Sequence, residues 1–129
     1  IRGRSVVWRP RSRPGRSYRS FRQYMIIVFN YANTYSLARQ MKKQKLQQLS
    51  PGDVVIQGGF PGHAVLVLDM AVNRRGQRRY LLGQSYMPAQ DIHILNNPAH
   101  AGLSPWYRLE QARSETPEWS FEPGDLRRF

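Results

Sequence analysis

The chain has 129 residues, with 20 Lys+Arg against 8 Asp+Glu and a formal net charge of +12. It holds no Cys, which excludes disulfides, thiolate metal sites and a cysteine nucleophile carried by these residues. At 40% apolar and 12% aromatic residues it is too hydrophobic for a disordered tail, and no apolar run approaches the roughly 20 residues of a membrane-spanning helix.

The charge is unevenly spread. All twelve basic residues of the first 52 precede the first acid, Asp53, and the remainder holds eight of each sign. Only Lys42, Lys43 and Lys45 are lysines; the other 17 cations are arginines. Arginine binds phosphate bidentately and stacks on bases, so the basic residues 2–45 mark a nucleic acid or another anionic polymer as a partner. No zinc finger, RNA-binding signature or recognition-helix pattern joins them, and the other reading is a solvated basic surface.

In chain order, residues 1–17 read as a basic irregular segment, with Val6-Val7-Trp8 as a short edge strand before Pro10 and Pro14-Gly15. Ser17 or Ser20 caps a helix whose apolar positions Phe21, Tyr24, Met25, Val28, Phe29 and Ala32 recur at helical spacing. Asn33 ends it, and Ser36 caps a shorter helix running to about Lys43. Leu49-Ser50-Pro51-Gly52 is a turn. The period then changes to that of strands. Val54-Val55-Ile56 and Ala64–Leu68 are continuous apolar runs, expected to be covered on both faces. Between them lies the flexible loop Gly58–Gly62. Asn73–Gly76 is a hairpin turn leading into Tyr80–Ser85. Alternation over Asp91–Leu95 directs Ile92 and Ile94 to the core and Asp91, His93 and Leu95 away from it. Trp106-Tyr107 and Glu118–Phe121 add extended segments before a turn at Gly124-Asp125. Helices followed by antiparallel strands predict an α+β class, with the helix or helices packed on the sheet and residues 18–129 forming a single domain.

A helix, Pro51-Gly52-Asp53 opening one strand, a Gly-rich loop and Gly62-His63 opening the next resemble the NlpC-type papain-like peptidase core. That family has a Cys at the helix start, a His on the second strand and a polar residue on the following strand. The resemblance implies a papain-like core, His63 as base and Gln84, or Ser85 beside it, as the group that orients it. Here the helix start reads Ser17-Tyr18-Arg19-Ser20-Phe21, without Cys. A second resemblance covers nearly the whole chain. The stretches 18–25, 51–65 and 84–95, with Ser104–Tyr107 and Thr116–Phe121, resemble the C-terminal half of the bacterial domain-of-unknown-function family 4846. Membership implies an exported, envelope-associated protein, although no signal segment is present in this chain. It also implies an upstream half bearing a Cys near a helix start, which would supply the nucleophile that His63 serves. Ile1 in place of Met fits the same expectation of a fragment or processed product.

The residues taken singly keep two readings. His63 is a general base or a histidine tied down at a strand end. Gln84 orients it or satisfies backbone groups. Gln57, Gly59, Phe60, Gly62, Ser85 and Tyr86, with Met87, line a ligand groove or serve as ordinary loop and core residues. Ser20 and Ser85 lack the Gly-flanked elbow of a serine nucleophile. A strand rather than a helix follows the Gly58–Gly62 loop, which argues against a phosphate cradle. Asp91 and His93 lack a third ligand, so no metal and no cofactor are expected. His100 carries no signal, and Asp53 is expected to fix its turn by accepting backbone N–H bonds. Three functions remain open: a hydrolase-like domain acting on a peptide or cell-wall amide, a non-catalytic ligand- or cell-wall-binding module, and an anionic-polymer binder.

Overall fold

The computed structural model describes residues 15–86, 90–110 and 113–129. The expected strand at Val6–Trp8, and Met87 of the expected groove, lie outside the described residues. The chain divides into two compact units, one ending at Ala32 and the other Asn33–Phe129. The first contains helix α1 (Tyr18–Tyr31). Its N-cap is Ser17, whose hydroxyl accepts the Ser20 N–H at 3.2 Å. No residue of α1 is buried: Phe21, Tyr24 and Phe29 are exposed, and only Met25 and Val28 of the expected face are half-buried. Ile26, Ile27 and Tyr31 lie outside that stripe, so apolar side chains ring the helix instead of marking one core face.

The second unit is α+β. Helix α2 (Thr34–Gln40) is capped by Asn33, not by Ser36. The Asn33 side chain accepts the Ser36 N–H at 2.9 Å while the Ser36 hydroxyl accepts the Asn33 N–H at 3.1 Å, a reciprocal capping box. The helix stops at Gln40 and an extended Met41 follows, so Lys42–Lys43 form strand β1 rather than a last helical turn. Strands β2 (Val54–Gln57), β3 (His63–Val72), β4 (Arg78–Tyr86) and β5 (Gln90–Ile94) follow. Then come β6 (Tyr107–Arg108), β7 (Ser114–Glu115), β8 (Ser120–Phe121) and β9 (Leu126–Arg128). The main sheet is antiparallel with the order β1-β9-β2-β3-β4-β5, and β6 pairs with the other end of β4. β7 and β8 form a separate hairpin.

Period two decides the core. Val65 and Val67 on β3, Tyr80 and Leu82 on β4, and Val55 on β2 are buried on one face, with Leu49, Leu95, Tyr107, Phe121 and Leu126 completing the cluster. α2 packs at the end of β2, where a Cβ on Gly58 would stand 2.8 Å from the Ala38 Cβ and 2.9 Å from the Thr34 carbonyl oxygen. The Asn73–Gly76 turn closes the β3–β4 hairpin, with Gly76 in the left-handed region at φ 76° and the Asn73 carboxamide accepting the Arg75 and Gln77 N–H groups. Asp91 and His93 are exposed as expected, but Ile92 and Ile94 are 67% and 50% exposed as well, and Leu95, expected outside, is 1% exposed. Among the described residues β5 is an edge strand paired with β4, and the register Gly83↔Ile94 carries on to Leu95, whose N–H donates to the carbonyl of the buried Leu82 at 2.8 Å, so Leu95 shares the inward face of Leu82.

Asp53 does fix its turn, accepting the Ser50 N–H at 2.9 Å. It also takes the guanidinium of Arg128 on two oxygens, Nε–Oδ1 at 2.5 Å and Nη2–Oδ2 at 2.8 Å, which joins the entry of β2 to the end of β9. The hydrogen bonds that Arg128 donates to Asp53 raise the pKa of its guanidinium above the ordinary value.

Leu82 is fully buried at the centre of the cluster. Leu82→Ala is expected to cost about 3 kcal/mol in urea unfolding, the usual range for a leucine deleted from a packed core. A loss below about 1 kcal/mol would mean that this stripe is not the centre of the core. The stacked Tyr80 and Tyr107 rings, 5.6 Å apart, supply a pH dependence. Burial pushes both phenols up, against a smaller lowering of Tyr80 by its bond to Ser114 and with a further push on Tyr107 from Tyr80 and Glu118. A phenol with a raised folded pKa stabilises the fold fully below the unfolded value near 10, and that stability is lost as pH rises beyond it. Urea midpoints should therefore hold up to about pH 10 and fall above it, and Tyr107→Phe should flatten the fall.

Candidate functional site

The apolar stripes of β3 and β4 each turn polar at one end. Along β3 the inward positions run Val67, Val65, His63; along β4 they run Tyr80, Leu82, Gln84. All are buried, which brings His63 and Gln84 together at the rim of the core. The His63 ring meets Gln84 through Nε2 and Oε1 at 2.5 Å. The amide nitrogen of Gln84 in turn donates to Oε2 of Glu118 at 2.8 Å. This chain has a direction. A carboxylate only accepts, so the Gln84 NH2 must face Glu118 and its carbonyl must face His63. A carbonyl also only accepts, so His63 carries its proton on Nε2, and in the neutral ring Nδ1 bears the lone pair.

Three aromatic rings hold the imidazole: Phe121 stacked at 6.0 Å, Trp119 tilted at 5.6 Å and Tyr86 edge-on at 5.3 Å. The ring is 8% exposed. Glu118 and Trp119 sit in the turn of the β7–β8 hairpin, which Thr116 ties: its N–H donates to the Trp119 carbonyl at 2.8 Å and its hydroxyl accepts the Trp119 N–H at 3.1 Å. A second carboxylate–amide pair positions the indole. Trp119 Nε1 donates to Gln57 Oε1 at 2.8 Å, and Gln57 Nε2 donates to Asp125 Oδ2 at 2.8 Å and to the Ser120 carbonyl at 3.0 Å. Gln57 faces His63 directly across the β2–β3 ladder.

His63, Gln84, Gln57 and Tyr86 of the expected residues therefore converge. The others do not. Gly59, Phe60 and Gly62 lie in the loop between β2 and β3. Phe60 is 85% exposed, with its ring 6.2 Å from that of Tyr35, and Gly62 is tight against the Thr34 hydroxyl. Ser85 is exposed, one residue out of phase with Gln84. Sequence reasoning missed Trp119 and Phe121 against the His63 ring, Glu118 behind Gln84 and Asp125 behind Gln57. The stretch Thr116–Phe121 holds three of them, but nothing in sequence spacing ties it to β3. Of the other histidines, His93 donates from Nδ1 to the Asp91 carbonyl at 2.8 Å, and no group of three metal-ligating side chains occurs among the described residues.

The family profile described as "Domain of unknown function (4846)" matches residues 1–128. The chain belongs to that family. The match spans all but the last residue, and it assigns no activity to His63 or to any other residue of this family member. The chain matches no curated protein and no solved structure.

The direction of the Glu118–Gln84–His63 chain is open to measurement. Long-range 1H–15N spectra should show the neutral His63 ring protonated at Nε2 and bare at Nδ1. Glu118→Ala frees the Gln84 amide to turn over, and a mixture of tautomers should appear. A wild-type ring protonated at Nδ1 would contradict the chain.

Proposed function

We propose that this domain supplies the acid–base half of a hydrolytic site for a peptide or amide, with His63 as base, Gln84 as its orienting partner and Glu118 behind both. The single observation that supports this reading is the directed hydrogen-bond chain, which leaves the lone pair on His63 Nδ1. A general base needs its proton-accepting nitrogen free and its other nitrogen held, and a third group has to fix that tautomer. In the reaction, Nδ1 takes the proton of the attacking group as that group bonds to the amide carbon. It then returns the proton to the leaving nitrogen as the C–N bond breaks. The attacking group comes from outside the side chains around His63: a water, or a thiol or hydroxyl brought by another segment. The resemblance to NlpC-type peptidases supports the papain-like version of this reading, and the family resemblance supports a cell-wall substrate met after export.

The 8% exposure of His63 favours a second reading, in which the imidazole is a buried strut between β3, β4 and the β7–β8 hairpin. The two readings separate on rate and stability. With p-nitrophenyl acetate as acyl-transfer probe and cross-linked wall peptide as amide substrate, His63→Ala should lower turnover by about 100-fold or more while circular dichroism stays unchanged. Glu118→Ala keeps the imidazole and should still slow the reaction, because the tautomer is no longer held. A His63→Ala protein that turns over at the wild-type rate would sink the catalytic reading. Loss of fold in His63→Ala, with no turnover by the wild-type chain, would establish the strut.

A further inference from the structure

On the side of the second unit that carries α2, a cleft of about 340 Å³ is lined by Tyr35, Arg39, Gln57, Gly58, Asp125 and Arg127. Its two arginines outnumber its one carboxylate, Asp125. Arg39 is held in place from its own helix: its guanidinium lies 4.5 Å from the Tyr35 ring centroid and Nη1 donates to the Tyr35 hydroxyl at 2.5 Å. Arg127 is anchored through Nη1, which donates to the carbonyls of Gly124 and Leu126. Neither arginine forms an ion pair with a described residue. Lys43 of β1 faces Arg127 directly across the strand pair. Two like charges in that position repel and cost stability. The carboxylate in the cleft, Asp125, is already engaged: Oδ2 accepts Gln57 Nε2 at 2.8 Å and the Glu122 N–H at 2.9 Å.

We propose that this cleft binds an oxyanion group, a carboxylate or a phosphate, on Arg39 and Arg127 with Lys43 beside them. The argument is independent of any role for His63. Both guanidiniums are fixed at one edge by neutral acceptors, which leaves their other N–H groups as a planar fork of the geometry that carboxylate and phosphate oxygens accept. A guanidinium already immobilised loses little side-chain freedom on binding. An anion between Arg127, Lys43 and Arg39 also removes the repulsion that the cross-strand pair carries. The contrast with Arg128 is instructive: it stands opposite Lys42 in the same strand pair, and its charge is met by Asp53.

The test is titration of the full chain with inorganic phosphate and, separately, with acetate, followed through the arginine Nε–H signals and the Trp119 indole signal. The indole reports because Gln57 links it to the cleft. Saturable shifts of Arg39, Arg127 and Trp119 are expected, without matching shifts of Arg74 and Arg75 in the exposed hairpin turn. Arg39→Gln and Arg127→Gln should each weaken the binding by about tenfold, the loss of one charge-assisted contact. Saturation by phosphate alone assigns a phosphate ligand, and saturation by acetate assigns a carboxylate. Linear, unsaturated shifts shared by all arginines, or full binding in both variants, would overturn the proposal.

Discussion

The alternation of side chains along β3 and β4 is the constraint on which the rest of this structure depends. With Val65 and Val67 buried against Leu82 and Tyr80, the next inward positions have no freedom: they are His63 and Gln84. A polar pair at that depth has to satisfy itself, and it does so by a single bond to each other and an onward bond to Glu118. No fully buried side-chain nitrogen or oxygen lacks a partner among the described residues. The polar rim is thus a continuation of the apolar core by the same geometry, and a one-residue slip of β3 or β4 would dismantle both together.

The β7–β8 hairpin completes what the pleat begins. Its turn delivers Glu118 to the amide of Gln84 and Trp119 to the face of the imidazole, while Phe121 at its base belongs to the core cluster. Two carboxylate–amide pairs, Glu118–Gln84 and Asp125–Gln57, flank His63 and Trp119. Each uses an acceptor-only group to choose the orientation of an amide that would otherwise be symmetric in shape. The consequence is a histidine whose tautomer and ring plane are both decided by side chains from three separate strands and one turn.

The strong basicity acquires a finer structure in the folded chain. The excess belongs to residues 1–52, yet the cations that meet in space come from both halves of the sequence. Lys42 and Lys43 of β1 stand opposite Arg128 and Arg127 of β9, so two like-charged pairs are built into one strand pairing. In one of them Arg128 is met by the buried carboxylate of Asp53, and in the other Arg127 is left beside Arg39. Charge that reads as a run in sequence becomes one pair partly offset by a carboxylate and one cationic corner.

The α+β class, the strands β2 to β4 and the Asn73–Gly76 turn were legible from residues alone. Each is dictated by local chemistry: the two-residue period of apolar side chains and the turn preferences of Asn and Gly. The pairing of His63 with Gln84 was implied only by the resemblance to the NlpC-type core. Family membership was legible too, in the strings around Pro51, His63 and Gln84. Tertiary structure alone decided the rest. It reversed the parity of Ile92, Ile94 and Leu95, because the register in which β5 meets β4 is not encoded in alternation. It left α1 without a buried residue although its sequence has an apolar stripe. Above all it brought Trp119 to a histidine more than fifty residues upstream, Glu118 to Gln84, Asp125 to Gln57, and Arg127 to Lys43. Such contacts depend on which strand lies beside which, and that is settled by packing the whole core rather than by any segment's own propensity.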